Sequence, residues 1–167
     1  MEGYTKMKEQ LLHLLEKNAF LTNSQLAAML DKEEAQVAAL RSELEREGIL
    51  CGYHTLINWD RLQNGYLEAF IELKVVPKPE RGFEEIAQTI ASFEEVESVF
   101  LMSGGYDLFV TVAGKSFHQV AMFVAKRLSP LESVQSTATH FVLKRYKKEG
   151  VSFAEQETDE RDGETLC

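Results

Sequence analysis

One short segment of this sequence is suited to bind a small molecule that carries a carboxylate and an ammonium group. It contains Gly104, Gly105 and Asp107. Glycine has no side chain, so the backbone amides of a turn here can approach a ligand carboxylate closely. Asp107 can bind an ammonium group, and Tyr106 can form a wall of the same site. The alternative is structural: the glycines make a turn, Tyr106 packs, and Asp107 caps local amides.

A second set of polar side chains lies along one face of a predicted helix. Val37, Leu40 and Leu44 repeat at helical spacing and must face inward. At about 100° per residue, the opposite face carries Ala35, Ala38, Ala39, Ser42 and Arg46, flanked by Gln36, Arg41 and Glu43. Small side chains let a helix enter a groove of DNA, and arginine and glutamine can read base edges. The residues predicted to contact DNA are Thr22, Asn23, Lys32, Gln36, Arg41, Ser42 and Arg46.

Capping signals divide the residues before Gly48 into three helices, in the manner of a helix-turn-helix. The first helix is predicted over Thr5–Asn18. Thr22 opens the second as a capping box with Gln25, and Asp31 is predicted to open the third in the same way. Gly48 stands where the left-handed end of a helix is expected.

After Gly48 the hydrophobic rhythm changes to strand-helix-strand-strand-helix-strand. A strand and connector are predicted over Ile49–Ile57. The sheet strands are predicted over Leu67–Val76, Val96–Ser103, Tyr106–Ala113 and Val134–Tyr146, with helices over Phe83–Ile90 and from Ser116. Gly104-Gly105 is a two-residue hairpin signal, and Thr137 and Thr139 on the last strand add hydroxyls near the hairpin. The predicted fold class is α+β, a helix-turn-helix domain followed by a ferredoxin-like βαββαβ domain.

The predicted domains are a helix-turn-helix unit over 1–50, a β-strand linker over 51–65, a ligand-binding and dimerisation domain over 66–148, and an acidic flexible tail over 149–167. The sheet face away from the helices is expected to carry Val99, Leu101, Phe109, Phe141 and Leu143. An apolar face of that size needs a cover, and a second copy of the same face is the economical one. A homodimer or a higher even oligomer is therefore predicted.

The formal charge of −9 argues against a protein that coats nucleic acid, because affinity for phosphate comes largely from Lys and Arg. Any DNA binding must therefore be local. Much of the acid lies in Ala154–Cys167, which is expected to be solvated. No stretch has the pattern of a signal peptide or a membrane span, so the protein is expected in the cytoplasm. Cys51 and Cys167 are far apart, and no metal or cofactor is predicted.

Three motifs, in their order and spacing, resemble the leucine-responsive and asparagine-responsive (Lrp/AsnC) transcription regulators. They are Leu44-Glu45-Arg46-Glu47-Gly48-Ile49-Leu50-Cys51-Gly52-Tyr53, Ser103-Gly104-Gly105-Tyr106-Asp107-Leu108 and Val134-Gln135-Ser136-Thr137-Ala138-Thr139, and the resemblance runs from Lys6 to Lys147. It implies a winged or plain helix-turn-helix dimer, often assembled further into octamers or related rings, whose sheet domain binds amino acids at subunit interfaces. The expected function is transcriptional regulation through operator DNA, modulated by an amino acid or a related small molecule, without catalysis. The effector-binding residues so implied are Ser103, Gly104, Gly105, Tyr106, Asp107, Thr137 and Thr139.

The alternative is an Lrp-like protein without DNA binding, such as the siroheme decarboxylases, a related branch of tetrapyrrole enzymes with the same two-domain plan. That branch carries an Arg-His pair ahead of the first sheet strand, whereas this chain has Asp60-Arg61-Leu62-Gln63-Asn64-Gly65-Tyr66. His54 and His140 are isolated imidazoles and are predicted to be packed or exposed side chains, rather than catalytic bases or axial ligands.

Overall fold

The computed structural model describes residues 2–62, 65–78 and 82–153, and the chain divides into two compact units between Ile57 and Asn58. Each unit has its own hydrophobic core. Among the described residues, no helix is both long enough and apolar enough to cross a membrane.

The first unit consists of three helices, α1 (Glu2–Lys17), α2 (Asn23–Leu30) and α3 (Glu34–Arg46). Their apolar stripes meet in a core of Leu11, Leu15, Leu26, Ala27, Val37, Leu40 and Leu44. The predicted capping box is confirmed, because the Gln25 amide donates to Thr22 Oγ1 at 3.2 Å and the Thr22 amide donates to Gln25 Oε1 at 2.9 Å. The first helix extends further toward the N-terminus than the predicted Thr5–Asn18.

The turn between α2 and α3 differs from the prediction. Asp31 adopts the left-handed conformation, with φ of 53°, and ends α2 by donating its amide to the Ala27 carbonyl. Glu33 is the residue that precedes α3, and its side chain makes no capping hydrogen bond. Aspartate tolerates the left-handed region better than most residues, so Asp31 closes one helix instead of opening the next. Gly48, with φ of 68°, confirms the predicted left-handed end of α3.

The segment that follows α3 forms no regular strand. Residues 51–58 belong to no helix or ladder, and a short 3₁₀ turn follows at Trp59–Arg61. A strand persists only where a neighbouring strand takes its backbone hydrogen bonds, and none of the described strands pairs with this segment. The strand predicted over Ile49–Ile57, and with it the strand character of the linker, is therefore absent from this single chain.

The second unit is a four-stranded antiparallel sheet with two helices packed on it. Its elements are β1 (Leu67–Val75), α4 (Glu84–Ala91), β2 (Val96–Leu101), β3 (Leu108–Gly114), α5 (Phe117–Phe123) and β4 (Val134–Phe141), with strand order β2-β3-β1-β4. α5 continues into a turn of π-helix over Val124–Leu128. The order βαββαβ and the antiparallel pairing confirm the predicted α+β, ferredoxin-like fold class.

The last strand is shorter than predicted, and the chain beyond it is folded. β4 ends at Phe141, and not at Tyr146. The Val142 amide still donates to the Glu68 carbonyl at 3.0 Å, but β1 begins at Leu67, so the pairing ends close to this point. A small hairpin follows, made of β5 (Lys147–Lys148) and β6 (Val151–Ser152). The predicted tail over 149–167 therefore starts inside this hairpin, and its acidic part, residues 154–167, lies outside the described residues.

The ladder register corrects the predicted sheet face. The helix side carries Ala69, Ile71, Leu73 and Val75 of β1 with Leu108, Val110 and Val112 of β3. Val99 pairs with Val110, Leu101 with Leu108, and Phe141 with Ala69, so all three lie on the helix side. Leu143 lies outside the strands and is 90% exposed. Of the five residues assigned to the outer face, only Phe109 belongs there, because a shift of one residue moves a side chain to the other face.

Candidate DNA-reading and ligand-binding sites

The outward face of α3 is the candidate DNA-reading surface. Its inward face is fixed in the core, since Val37, Leu40 and Leu44 are at most 3% exposed. This leaves the predicted outward residues Ala35, Gln36, Ala39, Ser42 and Arg46 exposed, with Ala38 half-buried. Lys32 is also exposed, just before the helix begins. Four of the seven predicted DNA-contacting residues, Lys32, Gln36, Ser42 and Arg46, thus lie on the surface of this helix and its leading turn.

Arg41 does not belong to that exposed face. Its side chain is 22% exposed, and Nη1 donates to Asn23 Oδ1 at 3.3 Å and to the Leu21 carbonyl at 3.5 Å. Nε donates to the Tyr53 hydroxyl at 2.9 Å, and the guanidinium carbon lies 4.8 Å from the centre of the Tyr53 ring. Arg41 and Asn23, both predicted to contact DNA, therefore bind each other across α2 and α3.

Hydrogen bonds from tyrosines hold both flanks of α3. The Tyr53 hydroxyl donates to Glu45 Oε1 at 2.7 Å. Burial, followed by this bond, raises the pKa of Tyr53 above its ordinary value, so the phenol stays protonated and able to donate. On the other flank, the Tyr4 hydroxyl donates to Glu43 Oε2 at 2.6 Å. The helix is thus fixed on three sides, and its outward face is the side left to meet a partner.

The predicted Gly-Gly tip of the hairpin is present in register. Leu101 pairs with Leu108, which places Gly104-Gly105 at the tip, and the Met102 amide donates to the Asp107 carbonyl at 2.8 Å. The regular ladder nevertheless stops at Leu101 and Leu108, so the connection is longer than the predicted two residues. Gly104 has φ of 135°, which favours glycine, and no atom lies within 4 Å of a Cβ added at either glycine. The backbone of the tip is therefore accessible.

Asp107 is bound to the end of β1. Its amide donates to the Leu73 carbonyl at 2.9 Å, and its Oδ2 accepts a hydrogen bond from the Val75 amide at 2.9 Å. The Tyr106 ring lies 6.2 Å from that of Phe109. Both residues therefore have the structural role that the sequence left open as an alternative, and their role in ligand binding stays a prediction.

Thr137 and Thr139 approach the sheet end from the helix side. They pair with Leu73 and Ile71 on β1, whose side chains are buried under the helices, and residues directly opposite share a face. Both threonines are half-buried. Leu73 also accepts the Asp107 amide, so Thr137 and Asp107 lie on the two sides of β1 near its end. Thr137 therefore lies at the same end of the sheet as the hairpin, whereas Thr139 lies opposite Ile71, further along β1.

Two cavities in the sheet unit lie away from these residues. The larger, ≈ 450 Å³, is lined by Trp59, Tyr66, Glu94, Glu95 and Lys115 among others. The smaller, ≈ 150 Å³, lies against α4 and is lined in part by Glu85, Thr89 and Ser133. Neither is lined by a predicted effector residue, so those residues form a surface at the sheet end instead of the wall of one of these cavities.

The outer face of the sheet carries a row of aromatic side chains. The rings of Phe70 on β1 and Phe109 on β3 are 5.3 Å apart, and Phe100 on β2 lies 6.4 Å from Phe109. Phe100 is 51% exposed in the single chain. Beside the row, His140 Nε2 lies 3.5 Å from Glu72 Oε1. Phe70 and Phe109 are half-buried. A partly exposed aromatic row beside polar groups is typical of a protein interface.

Comparison with known proteins identifies the family. Residues 68–152 match the family described as the Lrp/AsnC ligand binding domain. The uncharacterized HTH-type transcriptional regulator YugG of Bacillus subtilis is 39% identical over 158 residues, covering 94% of this chain and 95% of that protein. This chain belongs to the Lrp/AsnC family of transcriptional regulators.

Two further relatives of this Lrp/AsnC chain bear on its function. The leucine-responsive regulatory protein of Haemophilus influenzae is 24% identical over 139 residues, covering 83% of each chain. The crystal structure of transcriptional regulator NMB0573 of Neisseria meningitidis, in complex with L-Met, is 26% identical with a TM-score of 0.69, and covers 86% of this chain and 92% of that one.

The Lrp/AsnC chain is thus an HTH-type transcriptional regulator, and the named relatives are regulators instead of enzymes. The tetrapyrrole-enzyme alternative gains no support from them. His140 faces Glu72 on the outer sheet face, and His54 is exposed in the linker. Across residues 2–62, 65–78 and 82–153, no group of three or more His, Cys, Asp and Glu side chains could hold a metal ion.

A buried charged cluster in this Lrp/AsnC chain was missed from the sequence. Glu68, 5% exposed, accepts hydrogen bonds from Arg145 Nε at 2.9 Å and from Lys148 Nζ at 3.0 Å, and Arg145 Nη1 donates to Asp60 Oδ1 at 2.7 Å. Burial alone would raise the pKa of Glu68, but the bonds from Lys148 and Arg145 outweigh it and hold the pKa below its ordinary value. The cluster ties the β5–β6 hairpin and the 3₁₀ turn to β1. The one sequence feature that could have indicated this cluster is Glu68, an acidic residue within a mainly apolar strand.

Proposed function

We propose that this Lrp/AsnC regulator reads operator DNA with the outward face of α3 and responds to an amino acid or a similar small molecule at the hairpin end of its sheet. The observation that carries the first part is the division of α3 into two faces. Its apolar face is fully buried, and its opposite face presents alanines, a serine and Arg46 to solvent. Small side chains along such a face allow the helix to approach the floor of the major groove.

Arg46 is the strongest candidate for a base or phosphate contact. It is exposed near the end of α3, on the same face as Ser42, and Gln36 and Lys32 flank the beginning of that face. A guanidinium can bind guanine O6 and N7 with two parallel hydrogen bonds, and glutamine can do the same with adenine. We assign Thr22 and Asn23 to the phosphate backbone, because the first amides of α2 carry the positive end of its dipole.

The electrostatic footprint of this surface is small. Asp31, Glu33 and Glu34 are exposed at the start of α3, and they oppose the approach of phosphates. The whole chain carries a formal charge of −9. Affinity should therefore depend on few phosphate contacts per subunit, with a shallow dependence of log affinity on log salt.

Two observations support the effector site. The relative NMB0573 was solved in complex with L-Met, and the tip at Gly104-Gly105 has space for a ligand against its backbone. A ligand carboxylate would take the amides of the Ser103–Gly105 turn, and its ammonium group would take Asp107, whose Oδ2 is already bonded to the Val75 amide. Tyr106, Thr137 and Thr139 would complete the surface.

The outer face of the sheet supports a dimeric assembly. Phe70, Phe100 and Phe109 form a continuous aromatic row on that face, and two copies of the row can cover each other about a two-fold axis. A dimer also matches DNA reading by a helix-turn-helix, because two half-sites one helical turn apart need two reading helices. Further association of dimers, as the family resemblance implies, would bring hairpin ends of different subunits together.

The DNA-reading role is tested by selecting a binding site from random duplex DNA with the full chain and measuring affinity by fluorescence anisotropy. Arg46→Ala should weaken binding to the selected site by about 1–3 kcal/mol if it contacts a base. Lys17→Ala, an exposed cation at the end of α1, is the matched control and should change affinity little. Equal losses in both variants would show a general charge effect, and no enrichment of any sequence would contradict DNA reading by this chain.

A further inference from the structure

We propose that Tyr53 of the linker is a positioning residue of the DNA-reading helix: it holds Arg41 as a brace that fixes the start of α2 against α3. The inference rests on the proposed DNA-reading role of α3. In this proposal, Arg41 positions the DNA-reading surface instead of contacting DNA, and the linker contributes to that positioning through Tyr53.

The brace is defined by three hydrogen bonds from one guanidinium. Two of them, to Asn23 Oδ1 and to the Leu21 carbonyl, reach the residues at which α2 begins. The third, from Nε, goes to the Tyr53 hydroxyl. Since the guanidinium is planar and its donors form a rigid fork, fixing Nε also fixes the direction in which Nη1 points. Tyr53 therefore determines how Arg41 meets α2.

Tyr53 also separates Arg41 from a competing acid. Its hydroxyl accepts from Arg41 Nε at 2.9 Å and donates to Glu45 Oε1 at 2.7 Å, so it lies between the two charges. The direct distance between Nε and Glu45 Oε1 is 3.6 Å, which is longer than a good hydrogen bond. Without the hydroxyl, Glu45 can bind the guanidinium directly, and a carboxylate is a stronger acceptor than the neutral oxygens of Asn23 and Leu21. Loss of one oxygen atom should therefore redirect Arg41 from α2 toward its own helix.

The position of Tyr53 in the chain gives the brace a second consequence. Four residues separate it from Asn58, where the sheet unit begins. A segment of that length reaches at most roughly 17 Å when extended. A displacement of the linker can therefore be transmitted to α3 through the Tyr53 side chain.

Tyr53→Phe tests the brace, because it removes the hydroxyl and keeps the ring over the guanidinium. Tyr4→Phe is the matched control: it removes a tyrosine–glutamate hydrogen bond from the opposite flank of α3, without touching Arg41 or the linker. Both variants are made in the full chain. Hydrogen exchange is followed in a peptide spanning residues 21–27, and affinity is measured for the selected DNA site.

Tyr53→Phe should speed exchange at the first turn of α2 by roughly two- to tenfold, the factor that corresponds to one net hydrogen bond, and should weaken DNA binding by a similar factor. Tyr4→Phe should leave exchange in that peptide unchanged. Equal exchange in the two variants would overturn the brace, and faster exchange with unchanged DNA affinity would overturn the positioning role. If the wild-type chain selects no DNA site, the proposed function fails, while the exchange result still decides whether Tyr53 holds Arg41.

Discussion

Replacement of Phe109 by Lys should dissociate the proposed dimer. The Phe109 ring is the centre of the aromatic row, with Phe70 at 5.3 Å and Phe100 at 6.4 Å. Burying one phenylalanine side chain contributes about 1.5–3 kcal/mol, and a two-fold interface contains the residue twice. The substitution therefore removes about 3–6 kcal/mol, which raises the dissociation constant by roughly 10²–10⁴. Two unpaired ammonium groups on the covered face add to this loss.

Leu101→Lys is the matched control, because the register places Leu101 on the opposite side of the sheet from Phe109. Leu101 is also 62% exposed, so a lysine there costs the fold little. Sedimentation velocity over a range of concentrations, with circular dichroism to confirm folding, measures both variants. Wild type and Leu101→Lys should remain dimeric or larger, and Phe109→Lys should be a folded monomer. A monomeric wild type, or equal dissociation of the two variants, would refute the assignment of the outer face as the interface.

Four other substitutions separate the roles assigned above. Arg46→Ala should weaken DNA binding, while the free energy of unfolding in urea changes by less than about 0.5 kcal/mol. Arg41→Ala should lower that free energy by about 1–3 kcal/mol, because its hydrogen bonds are lost. A stability loss in Arg46→Ala but not in Arg41→Ala would exchange their roles. Because the folded pKa of Glu68 lies below its ordinary value, its stabilisation is present above that value and is lost as pH falls through the folded pKa. Glu68→Gln should therefore flatten the decline of stability as the pH falls below the ordinary pKa of 4.5, and an unchanged pH profile would contradict the assignment. Asp107→Asn keeps an acceptor for the Val75 amide but removes the negative charge. Calorimetry should therefore show a folded protein whose affinity for the amino acid is reduced roughly tenfold or more. Equal affinity would show that Asp107 only accepts the hydrogen bond from the Val75 amide.

The order of the elements was predictable from the sequence, but the phase of the sheet was not. Hydrophobic periodicity and capping signals located the helices, the strands and the tip at Gly104-Gly105. β2 reads as apolar on both sides, with Val99, Phe100 and Leu101 in succession, so alternation alone cannot say which of them faces the helices. The register with β3 decides it, and that register depends on pairing between segments far apart in sequence.

In the candidate sites, too, the position of a residue on its own helix was predictable from the sequence, but the contacts of its side chain with other elements were not. Helical periodicity correctly placed Ser42 and Arg46 on the exposed face of α3. It could not show that Arg41 reaches α2 and a linker tyrosine, because a long flexible side chain can cover several partners from one backbone position. The linker itself was predicted to contain a strand, although none of the described strands pairs with it.

The proposed function requires that an amino acid changes the affinity of this chain for its operator. The most direct measurement is an anisotropy titration of the selected DNA site, repeated with each of the twenty amino acids at saturating concentration. At least one amino acid should shift the affinity by about 5–150-fold, and the DNA should change the affinity for that amino acid by the same factor, because coupling between two sites is reciprocal. DNA affinity that is identical in the presence of every amino acid would contradict the account.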